Sequence, residues 1–276
     1  MLKLGSHISF KSPDYLLAAS EETIDNNANV MMIYLGAPQT AKRVDKIRFK
    51  LKEYIEKYSQ IIKPEDIIIH APYIINASNP EKNVFAINFL AQEIERMNYI
   101  GAKYIVLHPG AHTVFDREKS IKTLIESMKT LISITENVVI CLETMAGKGT
   151  EIFTNLAEMK YILESINSDR VQMCLDTCHI WDAGYNIKHY EEFKNELKQY
   201  NLFNKIKVIH LNDSLNDLNS HKDRHANINK GFIGLETLAK FVHDPEFDNV
   251  PIILETPWTD QGPIYKEEIA MLLNKK

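Results

Sequence analysis

Cysteine is scarce in this 276-residue chain, numbering three. Cys141, Cys174 and Cys178 form no C-x-x-C pair, and an odd count without a leading signal segment excludes a disulfide framework, so reduced thiols are expected. Long apolar runs are missing as well. No stretch reaches about 18 apolar residues, and the opening MLKLGSHIS lacks a charged segment followed by an apolar one. No membrane span and a cytoplasmic location are the expectations. Glycine and proline number ten each and are scattered, and neither GxGxxG nor GxxxxGK(S/T) follows any apolar run, which removes support for a nucleotide cofactor. Low-complexity tracts, repeats and linker-like segments are absent too, so residues 1–276 read as a single domain. A basic excess is also lacking. The formal charge of −5 speaks at first against nucleic acid as a partner.

What the chain does contain is alternation. Short β-rich apolar runs lie at 2–9, 30–36, 66–73, 103–110, 138–145, 171–178, 207–213 and 251–257, with amphipathic stretches between them. In NVFAINFLAQEIERMNYIGA, for example, Phe85, Phe89, Ile94 and Met97 fall near helical spacing, and Gly101 supplies a stop. Eight strand–helix alternations in one chain of this length predict a (β/α)₈ TIM barrel, an α/β fold whose strand ends converge on one mouth. A doubly wound open sheet is the rival, without its glycine signature.

The runs three to eight each end in a polar residue: His70, His108, Glu143, Asp176, His210 and Glu255. His179 follows Asp176 by three positions, and the segment SLNDLNSHKDRHANINKG after the seventh run adds Asp223 and His225 at i, i+2, which point the same way if extended. One such residue usually caps a helix or bonds to backbone. Nine at one rim are different, because four carboxylates gathered without counterions are costly and divalent cations make the same cluster favourable. Mixed imidazole and carboxylate donors suit zinc or manganese better than calcium. Cys141 and Cys174 each stand two residues before a carboxylate, one layer deeper in a barrel interior, and so read as packing rather than ligands.

Several stretches together resemble the endonuclease IV family of apurinic/apyrimidinic endonucleases. They are GSHIS (5–9), HAPYIIN (70–76), VLHPGAH (106–112), CLETMAGKGTEI (141–152), LDTCHIWDAGY (175–185), HLNDS (210–214), DRHANI (223–228) and LETP (254–257). The resemblance covers essentially the whole chain and implies a TIM barrel with three Zn²⁺ ions, Mn²⁺ or Fe²⁺ being possible at one site. It implies hydrolysis of the phosphodiester 5′ of abasic sites in duplex DNA, leaving a 3′-OH and a 5′-deoxyribose phosphate, and removal of 3′-blocking groups. Carried over by position, one metal takes His70, His108 and Glu143. A second shares Glu143 and takes Asp176, His210 and Glu255, and a third takes His179, Asp223 and His225. The implied nucleophile is a metal-bridging hydroxide, with Glu143 as both ligand and catalytic proton acceptor.

Under this reading the acidity is largely the site itself, since four of its ligands are carboxylates. DNA contacts are then expected from local basic segments, Lys42, Arg43 and Lys46, Lys148, and Lys222 and Arg224. Tyr73 resembles the aromatic residue that family members push into the minor groove. The chain departs from the family in GAPQTAKRVDK, which leaves Gln39, Lys42 and Arg43 as alternatives for the residue entering the DNA. Leu215 replaces a usual lysine, and Asn219 and Asn229 replace glycines, mildly if the backbone there is left-handed. A monomer without membrane contact is expected. The alternative reading is a divalent-metal sugar isomerase or epimerase on the same barrel, which has no use for His179, Asp223 and His225 together.

Overall fold

The computed structural model describes residues 1–275 and closes eight parallel strands into a barrel. Seven come in succession: β1 (Lys3–His7), β2 (Val30–Ile33), β3 (Ile67–His70), β4 (Tyr104–Leu107), β5 (Val139–Glu143), β6 (Val171–Asp176) and β7 (Ile206–His210). A two-stranded antiparallel hairpin follows, β8 (Asp213–Ser214) with β9 (His225–Ala226), and β10 (Pro251–Leu254) then pairs with both β7 and β1 to complete the ring. All eight apolar runs are strands. The TIM barrel read from the sequence is the observed fold.

The helices are α1 (Leu16–Asp25), α2 (Leu51–Tyr58), α3 (Asn83–Ile100), α4 (Arg117–Ile134), α5 (Leu156–Ile166), α6 (Thr177–Asp182), α7 (Tyr190–Gln199), α8 (Leu235–His243) and α9 (Tyr265–Asn274). α3 stops where Gly101 takes φ 89°, a conformation that costs glycine little. Phe89, Ile94 and Met97 are buried as the spacing predicts, but Phe85 is exposed. It stands in the first turn of α3, and its ring meets Phe89 at 6.1 Å without reaching the core. Among the described residues no helix is long and apolar enough to cross a membrane.

Strands buried on both faces must be apolar on both, which is why VMMI, IIIH and PIIL carry no polar alternation. Their two faces still do different work. Met31, Ile33, Ile67, Ile69, Ile105 and Leu107 belong to the main core beneath the helices, whereas Val30, Met32, Ile68, Val106, Cys141, Cys174, Val208 and Ile253 form a separate cluster inside the barrel. Side chains two apart on a strand share a face. Going two residues toward the C-terminal end from Ile68, Val106, Cys141, Cys174, Val208 and Ile253 gives His70, His108, Glu143, Asp176, His210 and Glu255. The interior packing thus aims six polar side chains at one mouth. Cys141, Cys174 and Cys178 are free and buried, and Cys141 and Cys174 pack inside the barrel as their positions suggested.

Candidate metal centre

Glu143, at the end of β5, is the hub. Its Oε2 lies 3.3 Å from His70 Nε2 and 3.1 Å from His108 Nε2, while its Oε1 lies 3.1 Å from His210 Nδ1 and 3.3 Å from His179 Nδ1. The two oxygens of one carboxylate therefore face two groups of imidazoles. His210 Nδ1 also meets Glu255 Oε2 at 2.9 Å and stands 3.8 Å from Asp176 Oδ2. Among the described residues, His70, His108 and Glu143 lie mutually within 4.8 Å, as do Glu143, Asp176, His210 and Glu255, and His70 also closes on His210 and Glu255, so the sets adjoin. The first two of these are the sets expected for the first two metals.

The third expected set is looser. His179 Nε2 is 3.0 Å from Asp223 Oδ1, and His225 Nε2 is 3.9 Å from it. The mutually close triad instead draws in Asp176 with His179 and His225. The reason is placement: Asp176 sits at a buried strand end between the two histidines, whereas Asp223 rides on the inserted segment with its side chain 28% exposed.

The imidazoles are oriented by the carbonyls behind them. A carbonyl only accepts, so His70 Nδ1 donates to Ala71 O at 2.7 Å, His179 Nδ1 to Thr144 O at 2.9 Å and His225 Nδ1 to Glu255 O at 3.2 Å. Each turns its Nε2 toward the mouth, where that nitrogen, relieved of its proton, is the donor a metal ligand requires. His225 Nε2 is buried and has no hydrogen-bond partner. An orphaned acceptor of that kind beside carboxylates, with donor atoms about 3 Å apart as neighbours on one ion with bonds of ~2.1 Å would be, fits divalent cations.

Charge agrees with this. Burial alone would raise the Glu143 carboxyl, but His210 and His108 outweigh it and hold the group well below its ordinary range. Burial likewise opposes charge on His179, and Asp176, Asp223 and Glu143 overcome it to raise the imidazole. Asp223, against its own burial, is brought down to about 2 by His179 and His225. Carboxylates and imidazoles here satisfy each other with shared protons, the role a cation can take over.

Thr144, Asp182, Asp213 and His7 support the site without having been among the expected ligands. Asp176 caps α6, its Oδ1 accepting from His179 N at 2.8 Å, and its own N–H donates to Thr144 Oγ1 at 3.0 Å. Asp182, fully buried in α6, accepts from Ser214 Oγ at 2.7 Å and from Asp223 N at 2.9 Å, so it fixes the backbone of an expected ligand. Asp213, also fully buried, accepts from the N–H groups of Ser214, Gly231, Ile233 and Gly234 and closes the far end of the insertion. His7 ends β1 in the same mouth, its Nδ1 3.8 Å from Glu255 Oε1 and its ring 4.7 Å from that of Tyr34, and burial pushes it down to about 4. His7 stands two residues past Gly5 on β1, the same alternation that marked the strand-end ligands.

The expected DNA contacts divide. Tyr73 is 51% exposed on the loop after β3, beside the exposed Ile74, and Gln39, Lys42 and Arg224 are exposed as well. Arg43 is not. Its side chain is 3% exposed, with Nε donating to Glu93 Oε2 at 2.9 Å, Nη1 to Thr40 O and Lys42 O, and the guanidinium over the Phe89 ring. Buried Glu93, invisible in the linear sequence, turns this arginine into the clasp of its own loop. Asn219 and Asn229 take φ 64° and 65°, the left-handed backbone their replacement of glycine implied.

Residues 24–275 match the xylose isomerase-like TIM barrel family, which sets the class of protein. Within it the chain is 65% identical to the probable endonuclease 4 of Mycoplasmopsis agalactiae, over 100% of this chain and 99% of that one. The chain belongs to the endonuclease 4, or endonuclease IV, family. Among solved structures, endonuclease IV from Thermus thermophilus superposes with a TM-score of 0.83 at 23% identity, covering 99% of this chain and 100% of that one. A D-tagatose 3-epimerase-like protein shares the barrel at a TM-score of 0.72 and 17% identity, covering 96% of this chain and 95% of that one.

Proposed function

We propose that the chain is a DNA repair hydrolase that cuts the phosphodiester 5′ of abasic sites in duplex DNA and clears blocked 3′ ends. The observation that carries this is the continuity of nine donors from His70 to His225, with the insertion adding a further group beside the strand-end ones. A sugar epimerase built on the strand-end donors has no need of that addition. Family membership supports the same reading.

His70, His108 and Glu143 would hold one ion, Glu143, Asp176, His210 and Glu255 a second, and His179, His225 and Asp223 a third. The mixed donors favour zinc, with manganese or iron as an alternative at one position. When bound, such ions supply Lewis-acid stabilisation of a phosphoryl group and a nucleophile at neutral pH. The residues of the chain position them and move the proton. Glu143, facing both sides, is the group placed to accept a proton from attacking water. Backbone carbonyls of Ala71, Thr144 and Glu255 keep the imidazoles aimed.

The DNA would lie across the mouth, with Gln39, Lys42, Lys148, Lys222 and Arg224 near its phosphates and Tyr73 as the wedge beside the lesion. Arg43 stays with Glu93 and shapes the loop. We place the protein in the cytoplasm as a monomer.

The test is incision of a duplex carrying one tetrahydrofuran abasic analogue by zinc-loaded protein, beside a ketose epimerisation assay. Nicking on the 5′ side, abolished by chelation, is the expected result; epimerisation without nicking overturns the proposal. Tyr73→Ala should weaken binding of the abasic duplex by about 10-fold, within the ~1–3 kcal/mol typical of a stacked aromatic ring, and leave intact duplex nearly unaffected. Equal losses on both duplexes in a binding titration would remove the ring from lesion recognition.

A further inference from the structure

Asn212 follows β7 by two residues and is completely buried. It touches both residues that, with Glu143 and His210, make up the second donor set, Asp176 at its carboxylate and Glu255 at its backbone. Its Nδ2 donates to Asp176 Oδ2 at 2.8 Å, and its Oδ1 accepts from the backbone N–H of Glu255 at 2.9 Å. Only one orientation of the amide serves both, because a carboxylate accepts and an N–H donates. The residue's backbone is pinned as well. Its N–H donates to Thr177 Oγ1 at 2.8 Å, and that hydroxyl donates back to Asn212 O at 2.7 Å.

The consequence for Asp176 is specific. Oδ1 is occupied by His179 N and Oδ2 by Asn212, so the carboxylate has one orientation, with Oδ2 standing 3.8 Å from His210 Nδ1 and 3.6 Å from His225 Nε2. Strand β7 lies between β6, which ends in Asp176, and β10, which precedes Glu255. An amide just past the middle strand is placed to hold the ends of both neighbours at a fixed separation. Asn212→Leu would strand two buried polar partners, and Asn212→Asp would remove the donor while setting a second carboxylate against Asp176.

From this geometry we infer that Asn212 is a positioning residue of the metal centre, setting the spacing and orientation of Asp176 and Glu255 so that a divalent ion fits between them and His210. The inference rests on the metal reading given above and adds to it a residue that binds no ion itself. It differs from a merely structural role in one respect. A structural asparagine stabilises the chain equally with and without ions, whereas a positioning one acts mainly on what the ions add.

The experiment compares wild type, Asn212→Asp, Asn212→Leu and, as a structural control, Asn155→Ala, which removes the cap of α5, a side chain that bonds Glu158 N and none of the expected ligands. Zn²⁺ affinity is read by competition with a chromophoric chelator, and thermal stability is read in chelator and in Zn²⁺. Asn212→Asp, although it adds negative charge, should weaken Zn²⁺ binding at the affected site about 10- to 100-fold, the usual range for loss of a ligand's supporting partner. It should shrink the rise in Tm that Zn²⁺ gives, while Asn155→Ala lowers Tm in chelator and keeps the full rise. Should Asn212→Leu fail to fold, the near-isosteric Asn212→Asp still decides. Unchanged affinity and an unchanged rise in Asn212→Asp overturn the inference alone. A wild-type chain that takes up no Zn²⁺ overturns the metal reading, and the inference with it.

Discussion

The strand-borne and insertion-borne halves of the mouth are built by different means. Six donors stand at strand ends, aimed by the alternation that packs Ile68, Val106, Cys141, Cys174, Val208 and Ile253 below them. Asp223 and His225 stand on an insertion whose only regular structure is the two-residue pairing of β8 with β9, and their side chains are 28% and 19% exposed. The first half is held by the barrel; the second by buried aspartates. Asp182 fixes Asp223 from α6, and Asp213 gathers the turn at 231–234. A fold shared with sugar epimerases thus supplies the first half, and a polar frame specific to the insertion supplies the second.

The largest effect should come from the hub. Glu143→Gln is expected to keep the fold and lower abasic-site incision by several orders of magnitude, because an amide bridges two cations poorly and accepts no proton. Circular dichroism and single-turnover incision check it together. Near wild-type rates in a metal-loaded variant would show that the strand-borne half does not depend on its centre.

Next comes the frame. Asp213→Ala leaves several buried N–H groups without an acceptor, so urea denaturation should show a loss of about 3 kcal/mol. The deficit should be concentrated in the insertion, read as faster amide exchange over 214–234 than in the barrel strands. Uniform exchange would mean that the insertion folds with the barrel as one unit and would erase the distinction.

A smaller effect is expected where the two halves meet. Gly184 takes φ 106°, and a Cβ there would stand 2.8 Å from Asn219 Oδ1 on the insertion. Gly184→Ala should cost about 1–2 kcal/mol from backbone strain and displace Asn219. A thermal melt within error of wild type would place the contact outside the cohesion of the site.

The two halves were also unequally legible. His70, His108, Glu143, Asp176, His210 and Glu255 could be read from the chain because strand period and regular recurrence are local properties. Asp223 and His225 were legible only as a pair at i, i+2 and through the family motif DRHANI, and the close triad takes Asp176 where Asp223 was expected. Asn212, Asp182 and Asp213 were not legible as a frame, since a buried polar residue is defined by partners distant in sequence, as Asp182 is by Asp223. Arg43 shows the same limit from the other side. It reads as a surface cation until Glu93, 50 residues on, captures it.

Metal content of His225→Ala beside wild type, measured on purified protein loaded with Zn²⁺ and then desalted, tests the division most directly. The account predicts that the variant stays folded and loses one ion per chain, the insertion-borne one, while the ions held at the strand ends remain. Loss of every ion, or of none, would contradict it.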